Sequence, residues 1–176
     1  MHDLVIQHGL WFDGQGNPGR VRNLGIRGGK VVEISETPLP GKRTIDAGGK
    51  WVMPGFVDTH THYDAEVLAA PGLEESARHG VTTVVIGSCS LSTVYSSALD
   101  CADLFTRVEA LPRDFVLPLL ERNKRWDTPA GFVEQLESLP LGINVASFIG
   151  HSDMRVRVMG LDRSTDPAVR PNASER

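Results

Sequence analysis

From Trp51 onward, apolar strand-like runs alternate with helix-like stretches, and no other feature of this 176-residue chain narrows its fold as far. Strands are expected over residues 52–59, 81–86, 115–120 and 143–149, and helices over 73–79, 100–111 and 128–139. Alternation of this kind predicts parallel strands joined by crossover helices, an α/β architecture. Local signals agree: Thr128 followed by Pro129 reads as an N-cap with proline at the first helical position, and Phe132, Leu136 and Leu139 keep one apolar stripe. The runs at 81–86 and 145–149 read as buried inner strands. Roughly three to four strand–helix units fit into residues 51–176, whereas a closed barrel of such units takes about eight. The stretch 162–176 is a polar, proline-containing tail with no strand that could close a sheet.

The first 50 residues follow another rhythm. Short strand candidates at 4–7, 23–27 and 30–34 are broken by Gly14-Gln15-Gly16-Asn17-Pro18-Gly19 and by Gly28-Gly29, which are hairpin signals. A meander this short buries little surface by itself, so residues 1–50 are expected to complete their core with another part of a longer protein.

Chemistry concentrates where the two rhythms meet. The apolar approach Trp51-Val52-Met53-Pro54-Gly55-Phe56 leads into Val57-Asp58-Thr59-His60-Thr61-His62-Tyr63-Asp64. Alternation along a strand aims both imidazoles of His60 and His62 to one side, which is how a strand offers two ligands to one metal ion. A His-x-His pair on a solvated strand is the bland alternative. The apolar run ahead of the pair argues for a buried strand, and two histidines plus Asp64 at its exit are costly to bury without compensation.

Cys89 closes the run Val84-Val85-Ile86-Gly87-Ser88-Cys89-Ser90, directly after a strand, where parallel α/β folds build their sites. It reads either as a thiolate ligand or as a buried structural thiol. His151 repeats the placement within Gly150-His151-Ser152-Asp153-Met154-Arg155, and Arg155 offers a planar fork for a substrate carboxylate or for a surface acid. Cys101 reads as a small buried hydrophobe in a helix, and His79 beside Gly80 as a helix C-terminal residue. His2 and His8 lie outside the pattern.

The bulk composition excludes several classes. A formal charge of −4 and 40% hydrophobic residues are ordinary for a globular protein, and Lys and Arg are scattered among acids, so no footprint for nucleic acid appears. The start Met1-His2-Asp3-Leu4-Val5-Ile6 lacks the basic head and apolar core of a signal peptide, and no run reaches transmembrane length. A cytoplasmic protein with no membrane partner is the expectation. Two cysteines separated as Cys89 and Cys101 fit neither a disulfide framework nor a zinc-finger spacing.

The assembly Gly48-Gly49-Lys50-Trp51-Val52-Met53-Pro54-Gly55-Phe56-Val57-Asp58-Thr59-His60-Thr61-His62, after a glycine-rich strand meander, closely resembles the entry motif of the amidohydrolase superfamily. Within it, Asp64, Gly87-Ser88-Cys89 and Gly150-His151-Ser152-Asp153-Met154-Arg155 resemble the D-aminoacylase group, the N-acyl-D-amino-acid deacylases. The resemblance covers nearly the whole chain and implies the N-terminal part of a longer enzyme. It implies a metal-dependent TIM-like (β/α)8 barrel, of which 51–176 are the first units, flanked by a small β-sandwich whose N-terminal half is 1–50. It implies zinc held by Cys89 together with two histidines further along, while His60 and His62 serve a second, weaker position. It also implies a general-base aspartate beyond residue 176 and an N-acyl-D-amino acid as the small-molecule substrate, for which His151 and Arg155 are the candidate binding residues. Ser88 and Ser90 depart from the group, where Asn and Gly are common at these places.

Two alternatives stand beside this reading. A cyclic amide hydrolase of the dihydroorotase or hydantoinase type bridges two metals through a carboxylated lysine and needs no cysteine after its second strand, so Cys89 argues against it. A non-catalytic, truncated scaffold would act through assembly, because an open parallel sheet exposes edges and apolar faces that invite association.

Overall fold

The computed structural model describes all residues, Met1–Arg176, and divides into two compact units, Met1–Pro54 and Gly55–Arg176. None of its helices is long and apolar enough to cross a membrane.

The first unit is a single five-stranded sheet. Strands β1 (His2–Trp11), β2 (Arg20–Arg27) and β3 (Lys30–Ser35) form the antiparallel meander that the glycine turns announce, in the order β3-β2-β1. The other edge of β1 is shared. Its first half pairs in parallel with β4 (Gly41–Asp46), and its last residues pair in parallel with β5 (Trp51–Val52). The change of partner coincides with a register shift between Ile6 and Gly9, where His8 takes a left-handed φ of 61° and its N–H is received by the Asn23 side chain at 3.1 Å. Gly9 is obligatory there, because a Cβ would stand 2.4 Å from Cγ2 of Val52. β4 was not anticipated: its Lys42-Arg43-Thr44 centre is polar because the strand is largely exposed. Val5, Leu24 and Ala47 are buried, yet Val32, Ile34 and Ile45 stay about half exposed. His2 is a satisfied interior histidine, held between the Pro40 carbonyl at 3.0 Å and the Glu33 carboxylate at 3.1 Å.

The second unit has α/β architecture. Its parallel sheet has the order β6 (Phe56–Asp58), β7 (Val81–Ile86), β8 (Asn144–Ser147), with Val57 opposite Thr83 and Val84 opposite Val145. Helices α1 (Glu66–Ala69) and α2 (Glu74–Arg78) connect β6 to β7, and α3 (Ala98–Val108), α4 (Arg113–Asn123) and α5 (Pro129–Ser138) connect β7 to β8. Helices α6 (His151–Met159) and α7 (Leu161–Thr165) and a 3-10 turn over Ala173–Glu175 follow. Val84 and Ile86 of the central strand are fully buried against Leu73, Cys101, Val116 and Leu120. Thr128 caps α5 through Gly131 N–H at 3.2 Å with Pro129 opening the helix, as its sequence signals indicate.

Three expectations are corrected. Residues 115–120 are helix α4, not a strand: Val116, Leu119 and Leu120 are buried at helical spacing while Phe115 faces solvent, a period hidden inside one continuous apolar run that also contains Pro118. The expected strand 52–59 is split at Met53-Pro54-Gly55, since proline has no N–H to give and Gly55 passes so close to Thr82 that a Cβ would stand 2.1 Å from its Cγ2. β8 is an edge strand with exposed residues rather than an inner one. The tail, which contains no strand, carries helix α7 and the Asn172-capped turn.

Candidate metal centre

Both loops that leave the carboxyl ends of β6 and β7 are fixed to neighbouring backbone. After β6, the Asp58 carboxylate accepts the His60 N–H at 3.1 Å, and Thr61 donates its N–H (3.1 Å) and its hydroxyl (2.9 Å) to the same carbonyl of Val85. Thr61 is thereby pinned to the neighbouring strand, with a histidine on either side of it. The pair lies in the loop just past the strand and not within it, which corrects the placement expected from alternation. The two imidazole rings still lie side by side, edge to face, with centroids 5.4 Å apart and planes at 63°.

After β7 the chain turns sharply. Gly87 has φ 75°, and a Cβ there would stand 2.4 Å from the Phe148 carbonyl oxygen. Cys89 and Ser90 follow at φ 51° and 69°, two successive side-chain-bearing residues in the left-handed region, which is uncommon and costs conformational energy. This turn brings Cys89 Sγ to 3.1 Å from His60 Nε2.

The structure therefore brings three of the anticipated residues together. One ligand atom from each of His60, His62 and Cys89 lies within 4.8 Å of the others. A tetrahedral ion bonded at about 2.1 Å to nitrogen and 2.3 Å to sulfur keeps its ligand atoms roughly 3.3–3.6 Å apart, so small side-chain rotations close the set. A soft thiolate with two imidazoles suits zinc chemically. One further observation fits an ion: Nδ1 of His62 is buried with no hydrogen-bond partner, while its Nε2 stands 3.5 Å from the Glu109 carboxylate. Glu109, at the end of α3, was not singled out from sequence, since its nearness to His62 is purely tertiary.

Asp64, two residues past His62, is buried. One carboxylate oxygen accepts the Gly87 N–H at 3.1 Å, and the other has no partner. Burial pushes its pKa up to about 7, against the pull of the Gly87 hydrogen bond and with a smaller upward push from the Asp153 charge. Cys101 is buried in α3, and burial raises its thiol pKa, so it is held neutral as a core residue.

His151 and Arg155 stand elsewhere. His151 is exposed at the first position of α6, and both residues border a surface cavity of about 460 Å³ together with Tyr95, Met154 and Glu175. Arg155 spends Nε on the Ser164 carbonyl at 3.1 Å and Nη2 on the Val169 carbonyl at 3.2 Å. Neither joins the cluster formed by His60, His62 and Cys89.

Comparison with known proteins gives consistent results. Residues 43–104 match the model of a family described as the amidohydrolase family. An uncharacterized protein of Mycobacterium tuberculosis is 58% identical over 179 residues, which cover 99% of this chain and 29% of that protein. The crystal structure of an N-acyl-D-glutamate deacylase from Bordetella bronchiseptica, complexed with zinc and a phosphonate mimic of the tetrahedral intermediate, superposes with a TM-score of 0.71 at 30% identity, covering 99% of this chain and 34% of that one. A D-aminoacylase structure, described for its binuclear metal centre, matches with a TM-score of 0.76 at 30% identity and the same coverage. The chain thus spans about a third of the length of these proteins and matches their N-terminal portion.

Proposed function

Because this chain belongs to the amidohydrolase superfamily, within its D-aminoacylase group, we propose that the full-length protein hydrolyses the amide bond of N-acyl-D-amino acids, releasing a carboxylate and a free D-amino acid. In this reading residues 51–176 are the opening units of a TIM-like barrel, and residues 1–50 are half of a composite β-sandwich whose half-exposed Val32, Ile34 and Ile45 are covered by a later segment. The observation that carries the proposal is the convergence of His60, His62 and Cys89 at the carboxyl edge of the parallel sheet.

These three side chains supply part of a zinc coordination sphere, and residues beyond 176 complete it. Bound there, zinc supplies Lewis acidity to a water and to the amide carbonyl, which is what hydrolysis at neutral pH requires. Cys89 contributes the negative sulfur ligand. His60 and His62 contribute nitrogen and wall one side of the site, Glu109 fixes the ring of His62 through Nε2, and an aspartate outside this segment moves the proton to the leaving amine. His151 and the Nη1 edge of Arg155 are assigned to the substrate carboxylate, and the fragment by itself is inactive because its ligand set is incomplete.

Two measurements on the full-length protein test this. Elemental analysis of Cys89→Ala is expected to show loss of tightly held zinc, with a smaller loss in His60→Ala; unchanged zinc in the cysteine variant contradicts the ligand assignment. A substrate panel is expected to show turnover of N-acyl-D-amino acids and none of dihydroorotate or hydantoins. Turnover of the cyclic amides alone would reject the deacylase reading.

A further inference from the structure

We propose that Asp153 is a positioning residue for Cys89, acting as a buried latch that holds the strained turn after β7 in the shape that presents the thiol to His60. The inference rests on the metal-site reading above and adds to it a residue that touches neither metal nor substrate.

Asp153 lies in the first turn of α6 and is 0% exposed. A carboxylate so buried needs full compensation, and it has it. Oδ2 accepts from the Ser92 hydroxyl at 2.6 Å, Val94 N–H at 2.9 Å and Tyr95 N–H at 2.9 Å, and Oδ1 accepts from Ser96 N–H at 2.8 Å. The Ser96 hydroxyl also donates to the Asp153 carbonyl at 3.0 Å. All these donors belong to the segment that follows Cys89.

The same segment is fastened to the start of α6 on its other side. Ser152 N–H is received by the Ser90 carbonyl at 2.9 Å and the Ser90 hydroxyl at 2.8 Å, and Gly150 N–H by the Ser92 hydroxyl at 3.0 Å. The approach is so close that a Cβ on Gly150 would stand 2.3 Å from the Ser90 carbonyl oxygen. Strained backbone persists only where its surroundings over-determine it. Cys89 and Ser90 make up the strained part, and Asp153 is the largest single collection of hydrogen bonds holding the loop that contains them. An amide in place of the carboxylate turns one acceptor into a donor facing N–H groups. The turn is then free to relax toward ordinary φ values, and Sγ leaves the neighbourhood of His60 Nε2.

A purely structural role for Asp153 makes a different prediction, and the test separates the two in the full-length protein. The first readout is the alkylation rate of Cys89 in metal-free protein, with and without His60→Ala. In the parent, removing His60 changes the rate; in Asp153→Asn, it is expected to change nothing, because the two side chains no longer meet. The second is zinc retention against a chelator, expected to weaken about 10-fold, with loss of thiolate-to-metal charge transfer in the cobalt form. Adding Ser90→Gly to Asp153→Asn removes the Ser90 share of the strain, at the loss of its hydroxyl bond to Ser152, and is expected to restore the charge-transfer band in part. Should Asp153→Asn fail to fold, Ser92→Ala, which removes one donor and the support of Gly150, carries the same comparison with a smaller effect. Unchanged coupling between His60 and Cys89, with unchanged zinc retention, in whichever variant folds overturns the proposal. Failure of the metal reading looks different: Cys89→Ala would keep its zinc while the alkylation coupling still responded to Asp153.

Discussion

The loops after β6 and β7 carry ligand side chains to the same place by opposite means. The loop with His60 and His62 is anchored by near neighbours, Asp58 two residues away and the Val85 carbonyl on the adjacent strand. The loop with Cys89 turns through two left-handed residues and depends on donors and acceptors from Gly150, Ser152 and Asp153, some sixty residues distant in sequence. The first is held by one local bond and by the adjacent strand; the second depends on the start of α6, far along the chain. The cysteine side should therefore be the more fragile half of the site, and the more tunable.

The largest effect expected from this contrast is at Gly87. Gly87→Ala meets a positive φ of 75° and the Phe148 carbonyl oxygen at 2.4 Å together, so a loss of about 2–4 kcal/mol in unfolding free energy is expected by denaturant titration. A loss below about 1 kcal/mol would mean that the turn adapts freely and that the contrast is overstated.

A second test concerns Asp64, which braces Gly87. Its pKa is raised in the folded state to about 7 from 3.8, so the native protein holds a proton that the unfolded chain has released. Stability contributed by the protonated group is thus present in full below the unfolded value and declines as pH rises from about 4 to 7, by up to about 4 kcal/mol. In the metal-free protein, Asp64→Asn is expected to flatten that decline while keeping an acceptor for the Gly87 N–H. An identical pH profile for the two proteins would place the proton elsewhere.

The smallest effect belongs to the histidine loop. Thr61→Val removes the hydroxyl bond to Val85 but leaves the Thr61 N–H bond to the same carbonyl, so a loss of about 0.5–1.5 kcal/mol is expected, with zinc retention nearly unchanged. A greater loss of zinc here than in Asp153→Asn would invert the comparison between the loops.

The same contrast explains how much of the fold and of the site is legible in the sequence. His60, His62 and Cys89 were readable because each stands just past an apolar strand run, and parallel α/β folds gather such ends at one rim. β7 and α5 were readable from β-branched residues and from the Thr128-Pro129 cap. α4 was misread because Phe115-Val116-Leu117 and Leu119-Leu120 are apolar at every position but Pro118, so no period shows. β4 was missed because an exposed strand shows no alternation of apolar and polar residues. Asp153 stands in a recognisable motif but without a legible role, and Glu109 is not legible at all, for a different reason: a buried acid in a helix turn and an acid at a helix end acquire meaning only from partners brought in by folding. The hydroxyl-rich run Ser88 to Ser97 was the available hint, since so many short donors after a buried strand require an acceptor.

X-ray absorption at the zinc edge of the metal-loaded full-length protein tests the central claim most directly. A sulfur neighbour at about 2.3 Å beside a nitrogen and oxygen shell is expected, and it should vanish in Cys89→Ala. A spectrum with only light-atom neighbours, the same in both proteins, would contradict the assignment of Cys89 to the metal.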